Sequence, residues 1–304
     1  MNTPATDAHL PQEGQPRVAD SIVYFDGRYS RKAEVRVSPD DRAFLLGDGV
    51  YEVAASYDGR FVALGRHMDR LRRSLREARI DESVADPIET VFQELLERNG
   101  FADSGKAMVY LQVTRGAAPR SHAFPKNACR PTVYGFAAAF PPEMEALSSG
   151  AGAITRADTR WSRCDIKVIS LMANCMANQE AKEAGAYETI FVRDGLVLEG
   201  THTSFFAVKD GVVRTAPLSN FILPGVTREI VIDAARRDGI EVVEEALSEA
   251  ELAGASELFI TGTTTEVVPI LSLNGNSVGS GKPGELTARL QRLYRTAAGI
   301  LERP

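Results

Sequence analysis

Residues 141–152 read PPEMEALSSGAG, and this stretch decides the architecture. Proline, serine and glycine crowd it and neither a helical nor a strand period runs through it, so it is expected to link two folded parts. Outward on its N-terminal side, residues 132–140 (TVYGFAAAF) and 107–114 (AMVYLQVT) are apolar runs of strand length. Residues 88–98 (IETVFQELLER) read as a helix stopped by Asn99-Gly100, and residues 66–80 (RHMDRLRRSLREARI) place Met68, Leu71, Leu75 and Ala78 on one helical face. From Ser21 to Leu64 the pattern is short strands, with Asp26-Gly27 and Asp58-Gly59 as hairpin turns. On the C-terminal side a helix is expected near 168–184, then hairpins at Asp194-Gly195 and Asp210-Gly211. A helix over 227–237, a short strand at 257–261 (ELFIT) and a closing helix over 285–301 complete the pattern. The chain is therefore expected to be α+β in two domains, a smaller one at 21–140 and a larger one at 153–304, with a site between them and a flexible arm at 1–20.

Bulk properties narrow the function classes. Hydrophobic residues make up 44% and charged residues 25% of the 304-residue chain, an ordinary globular composition. The formal net charge of −6 disfavours nucleic acid as a partner. Three cysteines (Cys129, Cys164, Cys175) cannot all pair and form no CxxC, which points to a reducing compartment and away from a structural zinc site. No apolar run approaches the roughly 18 residues of a membrane span, and residues 1–20 have no apolar core of a signal peptide. The cytoplasm is the expected location, with no membrane partner and no metal.

Several segments carry residue types suited to chemistry. GVTRE (225–229) opens an expected helix, whose N–H groups and dipole favour an anion. TGTTT (261–265) leaves a strand through a turn that can form a second anion nest, although simple capping is the commoner reason for Thr and Gly at both ends. Glu199 follows an apolar run in LVLEGTHTSFF (196–206), where a half-buried carboxylate can hold a protonated ring nitrogen; an exposed hairpin glutamate is the commoner case. Lys167 lies between Ile166 and Val168, and desolvation there would lower its pKa and make it an amine nucleophile, unless it snorkels to water. Arg120-Ser121-His122 offers two donors for a carboxylate, or else a solvated basic loop. HExxH is absent, so the zinc-protease class has no specific support.

Taken together, DRAFLLGDGVYEV (41–53), HMDRL (67–71), VYLQVTRGAAPRSHAFP (109–125), RWSRCDIK (160–167), LEGTHTSFFAVKDG (198–211), ILPGVTRE (222–229) and ELFITGTTTE (257–266) resemble the fold type IV pyridoxal-phosphate enzymes. Among these the chain is most similar to the D-amino-acid transaminases, in the same order and over nearly all residues after Ser21. The resemblance implies pyridoxal 5'-phosphate between two domains and a ping-pong transfer of an amino group from D-amino acids to 2-oxo acids such as 2-oxoglutarate and pyruvate. Lys167 would form the Schiff base and shuttle the proton, and Glu199 would pair with the pyridine nitrogen. Arg70, the backbone at Val226 and Thr227, and Thr263 would hold the phosphate, with Leu223 against the ring. Gly262 stands where the family has serine, leaving only a backbone N–H, and His202 stands where small hydroxyl residues are usual.

The resemblance also implies a carboxylate trap. Tyr51 and Val53 would face the substrate, and Arg120 and His122 would reach in from the partner of a homodimer. Branched-chain transaminases and aminodeoxychorismate lyases do not share that triplet; an (R)-amine transaminase, which needs no trap, is the nearer alternative.

Overall fold

The computed structural model describes residues 20–300 apart from 104, 127–128 and 141–148. The arm at 1–20 lies outside them except for Asp20. Strands β1 (Ile22–Phe25), β2 (Arg28–Arg31), β3 (Gly49–Tyr57), β4 (Arg60–Phe61), β5 (Lys106–Thr114) and β6 (Thr132–Ala139) form one sheet in the order β2-β1-β6-β5-β3-β4. Every pairing in it is antiparallel. A short helix α1 (Arg42–Leu46) interrupts the segment expected to be all strand; Asp41 caps it by accepting from the Ala43 N–H at 2.8 Å. Helices α2 (Leu64–Glu77) and α3 (Ile88–Arg98) lay Met68, Leu71, Leu75, Phe92 and Leu95 on the sheet. The face read from the sequence of residues 66–80 is thus the buried one. Each such side chain contributes roughly 1.5–3 kcal/mol by leaving water.

The second half contains β7 (Ala151–Ala157), β8 (Glu188–Arg193), β9 (Leu196–Gly200), β10 (Ser204–Lys209), β11 (Val212–Thr215), β12 (Val242–Glu244), β13 (Glu257–Gly262), β14 (Glu266–Leu273) and β15 (Asn276–Ser277). They run β12-β11-β10-β13-β14-β7-β8-β9, with β15 on β14. A further pairing of β9 with β10, Glu199 opposite Ser204, closes this sheet on itself. Strand β7 begins inside the stretch expected to be linker, of which 141–148 lie outside the described residues. Helices α4 (Met172–Glu183), α5 (Val226–Arg237) and α6 (Glu285–Ala297) complete the half. Helices α5 and α6 pack on Phe206 and Phe259, stacked at 4.7 Å, and this core also takes in Ala55, Tyr57 and Val62 from the first half. Tyr57 donates across the same boundary to Glu266 Oε1 at 2.8 Å.

The four Asp-Gly pairs read as turns all close two-residue hairpins, with Asp φ of 47–53° and Gly φ of 76–90°. The helix expected near 168–184 starts four residues late, at Met172. Residues 167–169 instead bridge to β3, Val168 opposite Val50, because the N-terminal part of β3 offers them an open edge. The Tyr51 N–H donates to Lys167 O at 2.9 Å and the Ile169 N–H to Gly49 O at 3.1 Å. Among the described residues no helix is long and apolar enough to cross a membrane.

Candidate active site

That edge pairing places Lys167 at the junction of the two halves. Its Nζ lies 4.2 Å from the centre of the Tyr51 ring, and its backbone N–H reaches Ser74 Oγ on α2 at 3.3 Å. Facing it, the β9–β10 closure carries the turn 200–203. The turn is organised from beneath by Glu188, whose carboxylate is fully buried and accepts from the Thr201 N–H (3.0 Å), the Thr201 hydroxyl (2.5 Å) and the Thr203 hydroxyl (2.8 Å). Gly200 is required here: a Cβ would lie 2.2 Å from Thr203 Oγ1 and 2.7 Å from Glu188 Oε2. His202 is half exposed, with Nδ1 3.1 Å from Glu188 Oε2.

A cavity of about 370 Å³ lies between these elements. It gathers Tyr51, Arg70, Lys167, Glu199 and Leu223, together with Val226, Thr227, Gly262 and Thr263. Val53, Arg120 and His122 do not line it; Arg120 and His122 are exposed on a loop whose backbone is tied to the buried Arg42 (Nη1 to Ser121 O, 2.7 Å).

Two buried carboxylates organise the charges. Glu52, on the face of β3 opposite Tyr51, accepts from Arg70 Nε at 2.9 Å and Nη2 at 2.6 Å, and from His67 Nδ1 at 3.0 Å. Burial alone would raise its pKa, but Arg70 and His67 override this and hold the carboxyl below the usual range. Burial keeps His67 neutral, so its Nδ1 carries the donated proton. Glu199 accepts from Arg160 Nη1 at 2.6 Å and from the Leu223 N–H at 3.0 Å. Here burial wins over Arg160 and pushes the carboxyl up to about 7.

The sign of that shift is testable. A carboxyl raised from 4.5 to about 7 on folding binds its proton more tightly in the native state, so its contribution is present at low pH and is lost as pH rises through about 7. Relative to Glu199→Gln, the apoprotein should lose on the order of 3 kcal/mol between about pH 4.5 and pH 7, at ~1.4 kcal/mol per pKa unit. Urea denaturation of both proteins at a series of pH values measures it; a difference independent of pH would contradict the assignment.

Residues 49–273, most of the chain and every residue lining the cavity, match the family model for class IV amino-transferases. The chain belongs to this family. It is 41% identical over 271 residues to a D-alanine aminotransferase of Bacillus licheniformis, covering 88% of this chain and 94% of that one. A D-alanine aminotransferase of Staphylococcus epidermidis is 37% identical over 272 residues, covering 89% and 95%. Among solved structures, the Escherichia coli branched-chain amino acid aminotransferase superposes with a TM-score of 0.82 at 26% identity, covering 92% of this chain and 94% of that one. A branched-chain aminotransferase from the thermophilic archaeon Thermoproteus uzoniensis, solved with norvaline, has a TM-score of 0.78 at 26% identity, covering 92% and 95%. The α+β architecture is thus the class IV aminotransferase fold.

The aminotransferase cavity fits a phosphorylated ring cofactor at both ends. Three of the five Arg70 N–H donors are engaged by Glu52 and by Pro224 O (3.0 Å), which leaves one hydrogen on each terminal nitrogen for a phosphate. Helix α5 starts at Gly225 without a side-chain cap, so its first N–H groups remain for an anion. Thr261 is a lining residue whose hydroxyl is buried without a hydrogen-bond partner among the described residues, a costly state that a phosphate oxygen reaching it would relieve. At the other end, Glu199 presents the carboxylate that a protonated ring nitrogen needs.

Sequence inspection missed Glu52, Arg160 and Glu188. For Glu52 a signal existed, since a lone carboxylate inside the apolar run GVYEVAASY (49–57) must find a partner once buried.

Proposed function

We propose that this aminotransferase uses pyridoxal 5'-phosphate to move the amino group of D-amino acids to 2-oxo acids, in two half-reactions at one site. The observation that carries the proposal is the meeting of the Lys167 amine, the buried Glu199 carboxylate, the Arg70 fork and the uncapped α5 N-terminus in one cavity. When bound, the cofactor supplies an electron sink for the charge left on the substrate Cα. Lys167 Nζ anchors the cofactor covalently and takes the proton from the substrate Cα. Glu199 holds the proton on the ring nitrogen. Arg70, the N–H groups at Val226 and Thr227, and the hydroxyls of Thr261 and Thr263 hold the phosphate, the Gly262 N–H beside them. Leu223 packs against the ring. Residues 21–140 and 153–304 act as two domains with the cofactor between them, in the cytoplasm.

Tyr51, with Val53 beside it, and Arg120 and His122 of the partner subunit in a homodimer grip the substrate α-carboxylate. The trap separates an amino-acid transaminase from an (R)-amine transaminase. Holoprotein given D-alanine without an acceptor should change its visible absorbance within seconds and release pyruvate, whereas L-leucine and (R)-1-phenylethylamine should react at least about 100-fold more slowly. Leaving the buried polar groups of such a trap unpaired costs at least that much. Faster reaction with either of the latter two donors would overturn the D-amino-acid reading.

A further inference from the structure

Glu199 is one member of a charged quartet, three of whose side chains are buried. Arg160 donates from Nε to Asp158 Oδ1 at 2.9 Å, from Nη2 to Asp158 Oδ2 at 3.0 Å and from Nη1 to Glu199 Oε1 at 2.6 Å. Its guanidinium lies 4.3 Å from the centre of the Phe191 ring. Arg193 takes the outer side of Asp158, Nη2 to Oδ2 at 3.1 Å, and donates to Arg160 O at 2.9 Å. The Asp158, Arg160 and Glu199 side chains are 0%, 6% and 7% exposed. Two carboxylates and two guanidiniums balance, and the arginine next to the cavity cannot turn away without breaking its fork on Asp158.

A glutamate and a ring nitrogen that share one proton have two ways to hold it. A desolvated glutamic acid keeps the proton and leaves the ring neutral; a glutamate stabilised by a fixed cation yields it to the ring. We propose that Arg160 is a positioning residue that, locked on Asp158 and Arg193, offsets part of the burial cost of charge on Glu199, so that beside the cofactor the shared proton rests on the ring nitrogen. The proposal rests on the reading of this cavity as the pyridoxal-phosphate site. The other groups acting on Glu199 do not replace Arg160. Asp158 opposes ionisation, the Cys164 thiol is neutral because burial pushes it up to about 11, and the Arg70 fork is taken by Glu52.

The test compares wild type with Arg160→Met, Arg160→Gln and Arg160→Lys. Infrared difference spectra of the apoprotein, with Glu199→Gln in each background to identify the band, report whether Glu199 carries a proton. In Arg160→Met the protonated-carboxyl band should persist about two pH units higher than in wild type, the range expected for a buried carboxyl losing its ion-pair partner. In the holoprotein the visible absorbance should acquire a matching pH dependence. The kcat should fall about 100-fold, as when one preorganised electrostatic partner is removed, with KM nearly unchanged. Arg160→Lys should recover most of the wild-type titration. Arg160→Gln keeps hydrogen bonds without charge and gives the same answer if the methionine variant does not fold.

An unshifted Glu199 band in the Met and Gln variants, with only thermal stability reduced, would make Arg160 a packing residue and overturn the proposal. Failure of the wild-type protein to gain absorbance with pyridoxal phosphate would instead refute the cofactor reading; the apoprotein spectra still decide whether Arg160 lowers the proton affinity of Glu199.

Discussion

Lys167→Ala is expected to lower transamination by at least about 10³-fold, within the range of a positioned acid–base group and without counting the missing covalent anchor. The fold should survive. The Nζ meets the Tyr51 ring at 4.2 Å, and what fixes the segment is backbone pairing with β3, Tyr51 N–H to Lys167 O at 2.9 Å, which alanine retains. Circular dichroism and thermal unfolding check the fold; turnover of D-alanine with 2-oxoglutarate checks the loss. Borohydride reduction of wild-type holoprotein followed by peptide mapping should place the cofactor on Lys167. A variant slowed only a few-fold, or a label on another lysine, would assign the amine elsewhere.

Arg120→Ala should raise KM for D-alanine by some 30-fold or more, because truncating one member of a buried hydrogen-bonded charge pair costs about 2–5 kcal/mol. An amine donor without a carboxylate should lose far less. Arg120 and His122 are exposed in their own chain and stand outside its cavity, so the site they serve is proposed to be the partner subunit's. Mixing the two crippled proteins, Lys167→Ala and Arg120→Ala, tests this directly. Shared sites give a mixed dimer in which one site carries both defects and the other neither, so activity should rise well above either parent. Confirmed mixed dimers with no recovery would remove Arg120 from the neighbouring site.

Local chemistry made much of this fold legible. Asp-Gly pairs at 26–27, 58–59, 194–195 and 210–211 set turns that few other residues tolerate, and Met68, Leu71 and Leu75 show their face by spacing alone. Residues 168–171 misled for the opposite reason. Their apolar character suits a helix, but the open edge of β3 captures the chain from Lys167 to Ile169, and no local pattern announces that partner. The same limit governs the site. Lys167 and Glu199 were ambiguous one at a time and gained roles only from resemblance. The pairs that stabilise the site, Glu52 with Arg70 and Arg160 with Glu199, join residues 18 and 39 positions apart, so no short motif contains both partners.

The core that Ala55, Tyr57 and Val62 share with α5 and α6 opposes separation of the two halves. Parting the halves would return Tyr57 and Val62 to water, at roughly 1.5–3 kcal/mol each, and would strand Glu266 without its tyrosine donor. The halves are jaws welded at the back. The exposed Trp161 and the half-exposed His202 belong to the part of the cavity lining that solvent reaches while the halves stay together. Rotamer flips of such side chains take picoseconds to nanoseconds, whereas hinge opening takes microseconds to milliseconds. Side-chain motion at the exposed part of the lining is therefore expected to be faster than any opening of the halves.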